Sequence, residues 1–122
     1  MDIKIFGKVI RGDGYGKKIG FPTINIDRRN FLKLKKKPPF GVYVGKVKML
    51  KARFSTFYKA GIVIGPLDKK GLPKIEAHLI GYHNNAYGKM VTLEIHKFLR
   101  KFKKFKSEQL LIAQIKKDLE KI

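Results

Sequence analysis

Cysteine and tryptophan are both absent from the 122 residues. Without thiols there is no disulfide framework, no cysteine nucleophile and no cysteine-based zinc site. Acid is scarce: nine Asp and Glu stand against 29 Lys and Arg, a net charge of +20. Such a field attracts nucleotides, nucleic acid or any other anion, and it equally describes a lysine cover of the kind seen on thermophile surfaces. Long hydrophobic runs are missing too. No window approaches the roughly 18 uncharged apolar residues that a membrane helix requires, and MDIKIFGKVIRG at the amino terminus lacks the apolar stretch of a signal peptide. No membrane role is expected, and a cytoplasmic location fits. The three histidines, His78, His83 and His96, share no metal-ligand spacing.

What is present suffices for a core. Hydrophobic residues make up 43% of the chain, and its length suits one domain spanning residues 1–122, with no internal repeat or linker. Period-two alternation marks strands at 3–10, 41–47, 58–65, 74–82 and 90–99, with Ile3, Ile5 and Val9 on one face of the first. Phe21 to Ile26 reads as a further extended piece, because Pro22 fixes its own φ and biases Phe21 toward β geometry. DRRNFLKLKKKPP, residues 27–39, reads as an exposed flap or loop. The period then changes. Ser107 can cap a helix whose first turn holds Glu108 and whose stripe is Leu111, Ile112, Ile115, Leu119 and Ile122. Six short strands followed by one helix predict a mainly β fold, a small antiparallel barrel with a carboxy-terminal helix against it.

The segment GYGKKIGFPTINI, residues 14–26, carries the chemistry. Glycines at 12, 14, 16 and 20 let backbone amides approach an anion, and Lys17 and Lys18 add charge. Thr23 and Asn25 offer neutral oxygens two residues apart, on one side of an extended segment. Such oxygens suit magnesium when phosphates supply the negative ligands. No GxxxxGK[ST] precedes a helix, so this is neither a Walker A loop nor a dinucleotide fingerprint. Taken alone, glycines before a strand are equally well explained as turn chemistry.

The rest of the chain extends the pattern: GFPTIN, the GVY strand at 41, the Ile75–Glu76 strand, Tyr87-Gly88, Leu99-Arg100, then Phe105, Ser107 and a helix containing QIKKD. In that order, over nearly all residues, the chain resembles the riboflavin kinase family. The resemblance implies a six-stranded antiparallel barrel with a carboxy-terminal helix, and transfer of the γ-phosphoryl group of ATP to the ribityl 5′-hydroxyl of riboflavin, giving FMN. CTP serves as donor in archaeal members. It further implies that Thr23 and Asn25 hold Mg2+, and that Glu76 is the catalytic base and touches the acceptor. Gly14, Gly16, Lys17, Lys18, Gly20, Pro22 and Thr23 would border the nucleotide, and Tyr87, Leu99 and Arg100 the flavin. Lys17 stands where the family usually carries arginine, which keeps the charge and loses the two-pronged fork. The expectation is a monomeric kinase without an attached adenylyltransferase. Two alternatives remain: a basic barrel binding nucleic acid through KFLRKFKKFK, and a flavin-binding relative without catalysis.

Overall fold

Each alternating segment has one apolar and one polar face, and a closed barrel is one way to bury six apolar faces at once. The computed structural model describes residues 3–50 and 53–122 and shows that closure. Its strands are β1 (Ile3–Ile10), β2 (Ile24–Ile26), β3 (Gly41–Leu50), β4 (Ser55–Leu67), β5 (Pro73–Leu79) and β6 (Met90–Lys101). They pair in the order β1-β2-β5-β4-β3-β6 around the barrel, antiparallel at every junction. Ile5, Ile26, Val47, Ile62, Ile75 and Leu93 fill the interior, none more than 1% exposed. Lys4, Lys8, Lys46 and Lys59 alternate with such residues and point outward.

Four local features depart from simple alternation. The glycine loop contains a single helical turn, α1 (Tyr15–Lys18). Extended structure begins at Ile24, so Phe21, Pro22 and Thr23 lie before β2. The charged excursion is anchored rather than a free flap. Asp27 accepts a hydrogen bond from the Arg29 amide at 3.0 Å and caps a 3-10 turn, Arg28–Lys33, whose Phe31 joins the core. Arg28 also pairs with Asp68 in the turn after β4. Lastly, β6 shifts register against β3 twice. Gly45 pairs with Ile95 but Val44 with Lys97, and Tyr43 pairs with Phe98 but Val42 with Arg100. His96 and Leu99 are the extra residues of two bulges.

The carboxy-terminal helix α2 (Glu108–Leu119) begins where expected, the Ser107 hydroxyl accepting from the Leu110 amide at 3.2 Å. It lies against the outside of the barrel but stands off from it. Leu111, Ile115, Leu119 and Ile122 face Val42, Gly61 and Val63 across a cavity.

Candidate functional site

Two strands assemble the site. In the β2–β5 ladder Asn25 stands directly opposite Glu76, and Ile24 opposite Ala77. Ile26, Ile75 and Ala77 take the interior, so Asn25 and Glu76 share the outer face. That face is sheltered: α2 and the segment before it roof a cavity of about 600 Å³ above the wall formed by β4 and β5. Thr23, Gly16, Glu76, His78 and Arg100 all line it.

The glycine loop closes onto this wall. Gly14, with φ of 73°, opens α1, and the Tyr15 amide donates to Asp13 Oδ1 at 3.0 Å. The Phe21 amide then donates back to the Gly16 carbonyl at 2.7 Å. A Cβ on Gly16 would lie 2.5 Å from the Phe21 carbonyl oxygen, so no larger residue permits this fold-back. Lys17 and Lys18 end α1 exposed, and Gly20 takes φ of 93° before the exposed Pro22. The Pro22 carbonyl lies 2.7 Å from His78 Nδ1. Since a carbonyl only accepts, Nδ1 is the protonated nitrogen of that ring.

Asn25 and Thr23 are both half-buried. The Asn25 amide fills the space a Cβ on Gly12 would occupy, with Nδ2 at 2.2 Å and Oδ1 at 2.7 Å from that point. Gly12 is thus a cradle for the Asn25 side chain. Among the described residues no hydrogen bond engages the Asn25 amide or the Thr23 hydroxyl. No group of three His, Asp or Glu among those residues could hold a metal. The donor set at β2 is therefore a pair of neutral oxygens, which fits a hard cation whose charge is met by phosphate oxygens.

Glu76 has a different electrostatic setting. Burial pushes its carboxyl above the ordinary 4.5, the Lys74 ammonium pulls it back, and Asp13 pushes it up again. A carboxylate made more basic at the wall of a sheltered cavity can accept a proton from an alcohol brought there.

The opposite wall is built around Arg100. The two bulges of β6 place it level with Val42, where it reaches α2. Its Nε lies 3.1 Å from both Asp118 oxygens and its Nη2 lies 2.9 Å from Oδ2. Gln114 adds a bond to Asp118 Oδ1 at 2.9 Å. Asp118, the last residue of QIKKD, is the one buried charged residue among those described. The signal available was Gln114 one helical turn before it. Lys74, Glu76 and His78 likewise share one face of β5 by their spacing, although only Glu76 was singled out.

Of the expected residues, Gly16, Thr23, Glu76 and Arg100 line the cavity, and Gly14, Lys17, Lys18, Gly20, Pro22, Asn25, Tyr87 and Leu99 do not. Leu99 is the half-buried extra residue of its bulge. Tyr87 is exposed under the Arg11 guanidinium, 4.8 Å from the ring centre. The basic-aromatic run 97–106 supplies cavity wall through Phe102 and Phe105, and Phe98 packs edge-on against Tyr43 at 5.3 Å.

The sequence profile described as Flavokinase, riboflavin kinase, matches residues 1–122. The chain belongs to the riboflavin kinase family. Within that family it is 34% identical to the bifunctional riboflavin kinase/FMN adenylyltransferase of Haemophilus influenzae, covering 96% of this chain and 36% of that protein. The Bacillus subtilis protein of the same description is 33% identical over 93% of this chain and 35% of its own length. This riboflavin kinase family chain thus spans about a third of the length of these curated relatives. Among solved structures, the riboflavin kinase of Trypanosoma brucei superposes with a TM-score of 0.70 at 26% identity, covering 96% of this chain and 72% of that one. The barrel with its carboxy-terminal helix is the architecture the resemblance implied.

Proposed function

We propose that this chain phosphorylates riboflavin: the ribityl 5′-hydroxyl attacks the γ-phosphorus of ATP or CTP, and FMN and the nucleoside diphosphate leave. The observation that carries the reading is the pairing of Glu76 with Asn25 across β2 and β5, with Glu76 and Thr23 both lining a roofed cavity.

Phosphoryl transfer asks a protein mainly to position its reactants and neutralise charge. Glu76 accepts the proton of the hydroxyl as the O–P bond forms and the bond from γ-phosphorus to the bridging oxygen breaks. Its raised proton affinity suits that task, and burial keeps competing water away. Thr23 and Asn25 hold Mg2+, which when bound offsets the phosphate charge. Gly14, Gly16 and Gly20 allow the loop backbone to lie against the nucleotide, Lys17 and Lys18 contribute cations, and Pro22 sets the turn into Thr23. On the flavin side, Arg100 orients α2 through Asp118, while Leu99 and Tyr87, outside the cavity lining, are the remaining candidates for flavin contact. The unit 1–122 acts as a single-domain monomer. The apolar walls at Val63, Leu111 and Ile115 suit an isoalloxazine ring.

The test is direct. Purified protein is incubated with riboflavin, Mg2+ and either ATP or CTP, and FMN is resolved by chromatography, with Glu76→Gln alongside. FMN formed by the natural sequence and lost in the variant supports the reading and names the donor. No FMN with either nucleotide overturns it.

A further inference from the structure

The turn that presents Thr23 is held to the barrel from one side by a histidine. Phe21, Pro22 and Thr23 precede β2 and have no strand partner. Their backbone tie toward the loop is the Phe21 amide on the Gly16 carbonyl. Their side-chain tie toward the barrel is His78, whose Nδ1 meets the Pro22 carbonyl at 2.7 Å. The Phe21 ring also stands edge-on to the imidazole, with centroids 6.0 Å apart at 69°. His78 lies two residues beyond Glu76 on the same face of β5, and both line the cavity.

We infer that His78 is a positioning residue for the metal-nucleotide site: it fixes the height of the 21–23 turn above β5, and with it the distance between the Thr23 hydroxyl and Asn25. The inference rests on the kinase reading given above. The geometry explains why one strand face carries both groups. β5 is anchored chiefly by β4, which it meets at six positions including Gly61 with His78. A turn pinned to His78 is therefore held in register with Glu76, two residues away on that strand. The imidazole holds the turn through Nδ1–H, while the opposite ring nitrogen plays no part in the tie. Losing the donor frees the turn from the barrel without altering Glu76.

The natural chain is compared with His78→Leu, which keeps bulk and removes the donor, and His78→Asn, whose amide can donate from nearly the same place. The affinity of ADP is measured by calorimetry with and without Mg2+, and FMN formation is followed against Mg-nucleotide and riboflavin separately. In His78→Leu the strengthening of ADP binding by Mg2+ falls about tenfold, as expected for a lost hydrogen bond that also misplaces a ligand. The KM for Mg-nucleotide rises by a similar factor, while the KM for riboflavin and the pH dependence of kcat are retained. His78→Asn restores most of the Mg2+ effect. An unchanged Mg2+ effect in His78→Leu, or an equal loss in both variants, overturns the inference while leaving the kinase reading intact. Absence of FMN from the natural chain overturns the kinase reading and this inference with it.

Discussion

Two walls of one cavity each carry a carboxylate, and their surroundings are opposite. On the β5 wall Glu76 has no ion-pair partner among the described residues, and burial raises its proton affinity. On the α2 wall Asp118 is gripped by the Arg100 fork and by Gln114. A buried charge that is matched holds elements together, and one left unmatched is reactive. The cavity therefore holds two acids in contrasting states, one clasped by a guanidinium at bonding distance and one influenced by Lys74 without an ion pair, within one fold and beneath one helix.

Removing the unmatched charge has the largest expected effect. Glu76→Gln lowers FMN formation about 1000-fold, in the range for loss of a general base, and leaves the unfolding midpoint at pH 7 unchanged or higher because a desolvated charge has gone. A variant that stays active ends Glu76's role. Breaking the matched pair reverses the pattern. Asp118→Ala leaves the half-buried Arg100 guanidinium without its carboxylate, holding only the Lys101 carbonyl, and costs about 2 kcal/mol of stability, read from urea unfolding. Its effect on turnover is smaller than on the KM for riboflavin, since α2 roofs the cavity. Ser107→Ala removes the cap of that helix alone and costs about 1 kcal/mol. Arg100 and Asp118 then still hold the far end.

The smallest effect sharpens the contrast by pH. Glu76 must be ionised to accept a proton, so the acid limb of kcat/KM lies above the ordinary glutamate value of 4.5. Asp13→Asn removes a neighbouring negative charge and moves that limb down. The sign for stability follows from the same shift: a carboxyl with raised proton affinity in the folded state destabilises the fold as pH rises from 4.5 through the raised value. Glu76→Gln removes that slope.

The strands were legible because one face of each had to be apolar, as Ile3, Ile5 and Val9 show, and the helix start was legible because Ser107 is a chemical cap. Thr23, Asn25 and Glu76 could be named through resemblance and local chemistry. That Asn25 and Glu76 face each other depends on pairing between residues 51 positions apart, which local alternation does not contain. Arg100 was legible as a cation but not as a clasp. Two bulges in β6 turn it toward α2, and a bulge depends on the partner strand as much as on its own residues. Asp118 was legible as part of QIKKD but not as a buried acid, because its burial comes from the barrel wall it meets. The turn at α1 escaped because four residues are too few to show helical periodicity.

A closed barrel has no free edges, but its staves are unequal. β2 has three residues and meets each neighbour at two positions, whereas β3 and β4 share ten. The seam of the barrel is therefore the stave that carries Asn25 and follows Thr23. Local opening is easiest where a strand is shortest, so backbone amides of 24–26 exchange with solvent deuterium faster than those of β3. A ligand gripping Thr23 and Asn25 rivets that seam, and Mg-nucleotide slows exchange there first.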